Sequence, residues 1–347
     1  MSREVLILRE PEIRALLDPR ACISAMEQAF AAYSTGQAQL PAVIQLDIPE
    51  SDGSQKSGEI HIKAGYLHGG RYYAVKIVSG FPSNPHLGLP ANDGMVVMFE
   101  AKTGAPAAFL LDNGFITDFR TGAAGAVAAK HLARKKIAAV AVIGTGGQAR
   151  YQMEMLALER SFTEVRLWGR DPRKAQACAD ALAKSRAIPA CNFVVTESVQ
   201  EAVDDADIVI TVTTSREPLL RAAWLKPGVT VIAVGSDAPD KQELDVDVLA
   251  RAHKIVADSL AQCLRLGEIH HAVERGAITK EKIYAELGEI TAGLKPGRIS
   301  EHEIIVCDLT GVGVQDVAAA SLVLERHSQR RRPAGCPEGV PPSAREQ

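Results

Sequence analysis

Between Lys136 and about Val256, short apolar runs alternate with stretches whose apolar residues recur at helical spacing. The runs are Ala139 to Ile143, Val165 to Trp168, Phe193 to Val195, Ile208 to Val212, Val229 to Val234 and Lys254 to Ala257. A helix is expected after Gly147 and another over 172–184, with the segment 199–203 falling inside the same alternation. Continuous apolar strands separated by helices predict an α/β fold, a doubly wound parallel sheet with helices packed on it. Glu303 to Asp308 fits a last strand and Asp316 to Glu325 a final helix.

Earlier in the chain the period changes. Glu10 to Tyr33 reads as two short helices, the second capped by Asp18 with Pro19 in its first turn and carrying Ile23, Met26, Ala29 and Phe30 on one apolar face. Segments 43–48, 59–64, 72–77 and 94–100 follow as short strands, with a turn at Gly69-Gly70 and a polar loop from Pro49 to Ser57. These predict an antiparallel meander. After a strand over 107–112, the small residues of 116–129 predict a helix packed closely against the sheet or a cofactor.

The strand Ala139 to Ile143 runs directly into Gly144-Thr145-Gly146-Gly147-Gln148-Ala149 and then into helical spacing at Met153, Leu156 and Ala157. In a strand, turn and helix of this kind, Gly144 and Gly146 can take positive φ and admit a pyrophosphate, while Ala149 lets the helix pack on the strand. Unpaired N–H groups and the helix dipole would hold the anion. The competing reading is a glycine turn with no ligand.

Composition narrows the class. The chain has 347 residues, 46% hydrophobic and 23% charged, with a formal net charge of −3. That is ordinary for a globular protein with room for two domains, and it gives no electrostatic support to nucleic-acid or membrane-surface binding. The first residues, with acids inside the apolar stretch, do not form a secretory signal, and no apolar run approaches the roughly 20 residues a membrane helix needs. A cytoplasmic protein is expected. Six cysteines, Cys22, Cys178, Cys191, Cys263, Cys307 and Cys336, are scattered without a paired spacing and read as free thiols. His270-His271 has no third ligand at a recognisable spacing, so no metal site is expected. The polar, Pro- and Arg-rich tail is expected to be disordered.

Four stretches carry a resemblance: KIVSGFPSNPHLGLP at 76–90, ITDFRTGAAGAVAAKHLAR at 116–134, AVIGTGGQAR at 141–150 and AVGSDAPDKQEL at 233–244. Together, and in this order, they resemble the ornithine cyclodeaminase and mu-crystallin family over most of residues 5–325. The KIVSGF and LLDNGF segments are most similar to its branch of ectoine-utilisation proteins, the imino-acid reductase branch being the alternative. The resemblance implies a substrate-binding and dimerisation domain made from both chain ends, 1–120 and 309–330, around a Rossmann dinucleotide-binding domain, 121–308. It also implies a homodimer, and residues 331–347 remain as the tail. Members of the family include cyclodeaminases, alanine dehydrogenases and reductases of cyclic or open-chain imino acids.

The site residues follow one by one. Lys76 lies among apolar strand neighbours, so its ammonium is either solvated at an edge or aimed into a cleft. The family motif makes it a contact to the substrate carboxylate or carbonyl oxygen. Arg120 sits among small residues with no acid close in sequence, which suits a bidentate clamp on a substrate carboxylate. The alternative is a salt bridge to a distant acid. Asp237 follows the strand ending at Val234, at the carboxyl edge where ligands bind in open α/β sheets. The resemblance makes it the catalytic group that shuttles a proton; a helix cap or loop acid is the plainer role, and Asp240 is the runner-up. Many members carry an arginine in the strand before the polar loop, but Pro41 to Leu46 has none. Lys63, with His61 on the same strand face, could supply the missing charge and hold a second substrate carboxylate, or both could be surface residues.

The cofactor is expected to be a nicotinamide dinucleotide held by Gly144, Gly146, Gly147, Gln148 and Ala149. About 20 residues on, where an NAD enzyme places a ribose-binding acid, the chain reads Gly169-Arg170-Asp171-Pro172, with Arg173 and Lys174 following. Gly169 and Arg170 favour NADP over NAD, and Asp171 is expected to cap the next helix. Thr213 and Thr214 should flank the nicotinamide end, and the resemblance brings Val312 near it. The expected reaction is reduction of an imine beside a carboxylate to an L-amino acid or cyclic imino acid, iminosuccinate being one dicarboxylic possibility. The rival readings are an ornithine cyclodeaminase, with no net redox, and a binding protein that keeps the fold without turnover.

Overall fold

The computed structural model describes residues 5–50 and 56–331. Cys336, residues 51–55 of the expected polar loop and the tail from 332 onward lie outside the described residues.

The first sheet is built from β1 (Leu6–Arg9), β2 (Ala38–Gln39), β3 (Ile44–Pro49), β4 (Lys56–Leu67), β5 (Tyr72–Gly80), β6 (Asn92–Glu100) and β7 (Pro106–Leu111). β3 to β7 form the antiparallel meander that the alternating pattern predicted. Two strands were not anticipated: β1 pairs parallel to β7, and the two-residue β2 pairs with β4. Both are too short to show a period. The strand order is β1-β7-β6-β5-β4-β2, with β3 also on β4.

The second sheet holds β8 (Ala139–Ile143), β9 (Glu164–Trp168), β10 (Asn192–Val195), β11 (Ile208–Thr211), β12 (Thr230–Ala233), β13 (Lys254–Ala257), β14 (Ala285–Glu286) and β15 (Ile305–Asp308). All its pairings are parallel, in the order β10-β9-β8-β11-β12-β15-β13-β14. The order in which successive strands are added reverses at β8, where β9 lies on one side and β11 on the other. That is the switch point of a doubly wound sheet, with a crevice at the carboxyl ends of its strands. Segment 199–203 is a helix, Val199–Val203, capped by Ser198.

Two helices link the sheets. Pro19–Ser34 has the expected cap, with Asp18 accepting from the Ala21 N–H, and it buries Ile23, Met26, Ala29 and Phe30. Phe115–Leu132 is buried along nearly its whole length, and the division expected between residues 120 and 121 falls inside it. The helix touches β12 of the parallel sheet, but its glycines Gly122 and Gly125 face another helix. A Cβ on Gly122 would lie 2.8 Å from the carbonyl oxygen of Tyr151, in the helix Gly147–Glu159. Glycine there lets two helix backbones touch. The last helix, Gly313–Arg330, returns to the first sheet and buries Val314, Val317 and Val323.

Among the described residues, the cysteines are free; Cys22, Cys263 and Cys307 are buried. No described helix is long and apolar enough to cross a membrane.

Candidate active site

A cleft of about 300 Å³ opens where the carboxyl edge of the parallel sheet faces β4 and β5. Each wall comes from a different part of the chain. His61 and Lys63 on β4 and Lys76 on β5 form one side, and Thr117, Asp118 and Arg120 come from Phe115–Leu132. The loops after β11, β12 and β15 bring Thr213 and Thr214, Gly235 and Asp237, and Thr310 and Gly311. Residues that sequence reasoning drew from four separate motifs therefore share one cavity.

The polar floor is an ion network centred on Asp316. Lys76 is 2% exposed; its Nζ donates to Asp316 Oδ1 at 2.8 Å and to Thr117 Oγ1 at 3.2 Å. Arg120 Nε donates to the same Oδ1 at 3.0 Å, and its Nη1 to Gln315 Oε1 at 3.2 Å. Arg120 thus lines the cleft and also makes the salt bridge to a distant acid that was its alternative reading. Burial pushes the Lys76 ammonium down to about 7, with Asp316 opposing and Arg120 and Lys63 adding to the fall. Burial works to raise Asp316, but the Lys76, Arg120 and Lys63 cations bring it down to about 2. Its Oδ2 is buried and has no hydrogen-bond partner.

Lys63 Nζ donates to the Gly311 carbonyl at 3.0 Å, and burial followed by the Arg120 charge lowers its pKa. His61 stands beside Glu59 at 3.7 Å. Three cations therefore converge with one carboxylate among them. Such a floor attracts an anion and repels a second positive charge. Asp237 lies at the rim, its side chain 57% exposed and paired with Lys241 at 2.5 Å. Asp240 pairs outward with Arg216 at 3.0 Å and does not line the cleft.

The glycine turn differs from expectation in one detail. Gly144 uses a positive φ of 125°, and a Cβ there would meet the Val212 carbonyl at 2.7 Å. Gly146 is extended instead, with φ −79° and ψ −174°, and caps the helix Gly147–Glu159 without a side-chain bond. A Cβ on Gly146 would meet nothing within 4 Å, and the first turn has no acidic residue. An open backbone cradle at an uncapped helix N-terminus fits a phosphate. Ala149 is buried at the base of that helix, and Gln148 Nε2 reaches Asp118 Oδ1 at 3.0 Å from within the cleft.

Gly169 and Arg170 follow β9. A Cβ on Gly169 would come within 2.6 Å of the Thr145 methyl, so glycine is needed for the two turns to nest. Arg170 is exposed. Asp171 caps the helix Pro172–Ala183 by accepting from the Arg173 N–H at 2.9 Å, as expected. Gly144, Gly146, Gly147, Ala149, Gly169 and Arg170 lie outside the cleft lining, as does Val312. Val312 is buried, and its N–H donates to Gln315 Oε1 at 2.7 Å. It caps the last helix, and its neighbours Leu309, Thr310 and Gly311 face the cleft instead.

The model of the ornithine cyclodeaminase/mu-crystallin family matches residues 3–331. The chain belongs to this family. A Rhizobium meliloti protein named as a dehydrogenase is 45% identical over 92% of this chain and 95% of its own. A Sinorhizobium fredii protein named as a cyclodeaminase is 44% identical over 93% and 96%. Among solved structures, an archaeal alanine dehydrogenase dimer with bound NAD superposes with a TM-score of 0.86 at 36% identity, covering 94% of this chain and 97% of that one. The Thermococcus litoralis Delta(1)-pyrroline-2-carboxylate reductase, in complex with NADH and L-proline, gives 0.86 at 32% identity, covering 94% and 98%. Family membership and the doubly wound fold expected from the sequence both hold.

Several residues of the site escaped sequence reasoning: Thr117, Asp118, Lys241 and Gln315 line the cleft, and Asp316 binds two of its cations without being among the lining residues. Gln315 and Asp316 belong to the final helix, which was read from the sequence only as a helix over 316–325. Lys241 sits in the AVGSDAPDKQEL stretch four positions after Asp237, and that spacing was the available signal.

Proposed function

We propose that this chain is a nicotinamide-dependent reductase of an imine adjoining a carboxylate, producing an L-amino acid or a cyclic imino acid. The observation that carries this is the convergence of Lys63, Lys76 and Arg120 on one cleft, at the carboxyl edge of the sheet and opposite Asp237. The oxidoreductase class rests on the family and on relatives named as dehydrogenases and reductases of amino and imino acids. A reduced nicotinamide, when bound, supplies the hydride.

The chain's own residues would do the rest. Lys76 and Arg120 hold the substrate carboxylate and, by withdrawing electron density, make the neighbouring C=N carbon more electrophilic. Asp237 at the rim hands a proton to the nitrogen. Lys76, brought near neutrality by burial, is the second group able to move one. Lys63 supports a second substrate carboxylate, as in iminosuccinate.

Ornithine cyclodeamination is the other reading, favoured by the name of the Sinorhizobium fredii relative. The cationic floor argues against it, because ornithine brings a second ammonium into a cleft already holding Lys63 and Arg120.

For the dinucleotide, Gly169 and Arg170 after β9 support NADP, since Asp171 is committed to its helix cap. The two neighbouring structures hold NAD and NADH. We read the protein as a homodimer, supported by the archaeal dimer and by the apolar Ile44 and Leu46, 55% and 47% exposed on the outer strand β3.

The test is absorbance of NADH and of NADPH with pyrroline-2-carboxylate, and with glyoxylate, pyruvate or oxaloacetate plus ammonia or methylamine. Oxidation that depends on the imine supports the proposal. Ammonia and proline from ornithine with NAD+, without an absorbance change, would replace it with the cyclodeaminase.

A further inference from the structure

The cleft loops are spaced by a residue that does not line the cleft. Glu243 is fully buried; its Oε1 accepts the Thr213 N–H at 2.6 Å and its Oε2 the Gly235 N–H at 2.9 Å. Thr213 follows β11 and Gly235 follows β12, so one carboxyl ties together the ends of two neighbouring strands. A Cβ on Gly235 would overlap the Thr213 carbonyl, which puts the two loops in backbone contact above the clamp.

The clamp is itself held. Glu268, also buried, accepts the N–H groups of Glu243 at 2.8 Å and Leu244 at 3.0 Å, using both its oxygens. Asp308, at the end of β15, accepts the Ile269 N–H at 2.9 Å, next to Glu268. Each buried carboxyl therefore grips the backbone that carries the next, from β15 across to β11 and β12. Burying an acid is unfavourable without such bonds, and here the cost falls beneath the loops that carry Thr213, Thr214 and Asp237.

We propose that Glu243 is a positioning residue for the reaction: acting through Thr213 and Gly235, it sets the gap between the two loops and with it the approach of hydride donor to acceptor carbon. This rests on the reductase reading given above. Misplacing reacting groups by about 1 Å costs on the order of 100-fold in rate, so a small change in this gap has a large kinetic effect. Binding of the imine carboxylate depends on Lys76 and Arg120, on other elements, and changes little.

Glu243→Gln tests it, because the amide keeps the shape but offers one acceptor to two N–H donors. The full-length variant and wild type are assayed with reduced dinucleotide deuterated at the transferred position. The expected result is a kcat lower by about 10- to 100-fold, a KM for the imine within about 3-fold of wild type and a larger deuterium effect on kcat. Unchanged kcat, or a fall that only follows the loss of folded protein with the deuterium effect unaltered, overturns the proposal. Gly235→Ala widens the same gap from its other side and is expected to give the same kinetic signature. If wild type reduces no imine, the reductase reading fails on its own. The clamp is then judged by titrating reduced-dinucleotide fluorescence, where weaker binding in Glu243→Gln supports it and equal binding overturns it.

Discussion

Lys76 and Asp316 are 240 positions apart in the chain, and their Nζ and Oδ1 atoms are 2.8 Å apart in the fold. The same oxygen takes Arg120 Nε at 3.0 Å. One oxygen of one carboxylate thus orients two of the three cations in the cleft, and it ties the last helix of the chain to β5 and to the helix Phe115–Leu132. The wall of the cleft that carries Lys76 and Arg120 is therefore built jointly by β5, the helix Phe115–Leu132 and the last helix.

Replacing Asp316 by asparagine keeps the shape and removes the charge. Breaking one side of a buried pair leaves uncompensated charge, at a cost on the order of 3–5 kcal/mol. Urea unfolding of Asp316→Asn is expected to show a loss of that order. With Lys76 and Arg120 no longer aligned, kcat/KM for the imine is expected to fall on the order of 100-fold. An asparagine variant as stable and as active as wild type would sink the view that Asp316 organises the floor.

Lys76 gives the pH dependence. Burial lowers it from 10.5 to about 7, so the ammonium form predominates below about 7 and is progressively lost above it. Only that form holds a carboxylate. Since kcat/KM reports the free enzyme, its profile in the reductive direction is expected to fall above about pH 7, and Lys76→Arg is expected to move that limb to higher pH. For stability Lys76 and Asp316 act with opposite signs. The lowered pKa of Lys76 disfavours folding below about 7, and that effect fades as pH rises toward 10.5. Asp316, lowered from 3.8 to about 2, stabilises above 3.8, and this contribution is lost as pH falls toward 2. An acid titration of unfolding in which Asp316→Asn lost as much stability as wild type between those values would contradict the assignment.

Much of this arrangement was legible in the sequence. The apolar rhythm from Ala139 to Ala257 specified the parallel sheet because its central strands are buried on both faces. Lys76, Arg120 and Asp237 were found because they stand in motifs. Asp316 was not: its ion pairs span the whole chain, and a lone acid on an amphipathic helix looks like any surface acid. Glu243 and Glu268 were hidden for a different reason: their partners are backbone N–H groups, and no residue type marks those. The positive φ expected of Gly146 failed because glycine permits that conformation without requiring it, and here the residue serves as an extended helix cap.

Gly122 tests the helix pair that carries Arg120. A Cβ there would press on the Tyr151 backbone, whose carbonyl oxygen and carbon lie 2.8 and 2.9 Å away. Backbone in a buried helix has little room to yield, and overpacking costs about 1–3 kcal/mol. Gly122→Ala is expected to lower the thermal midpoint accordingly. The same substitution at Gly114, where φ is 81° but no atom lies within 4 Å, separates crowding from backbone strain.

The proposed second anion site is tested at Lys63. Its Nζ is held by the Gly311 carbonyl at 3.0 Å on the cleft wall. Lys63→Met keeps the length and removes the charge. A charge-assisted hydrogen bond contributes about 1.5–3 kcal/mol, so KM for a dicarboxylic imine is expected to rise on the order of 10- to 100-fold, with little change for a monocarboxylic one. An unchanged KM for the preferred substrate would rule out a second anion site at Lys63.

The proposed preference for NADP is tested at Arg170. It stands exposed after β9 with Gly169 beside it, and Asp171 is turned into its helix cap, accepting from the Arg173 N–H at 2.9 Å. A guanidinium placed there attracts a 2′-phosphate and finds no such partner on NAD. Arg170→Ala is therefore expected to raise KM for NADPH about 10-fold while changing KM for NADH by less than about 2-fold, a difference of roughly 1 kcal/mol in keeping with an exposed charge pair. The effect on NADPH should shrink with added salt, because the pair is exposed to screening. Equal changes for both dinucleotides would mean that Arg170 stacks on the adenine common to them, and the preference for NADP would fall.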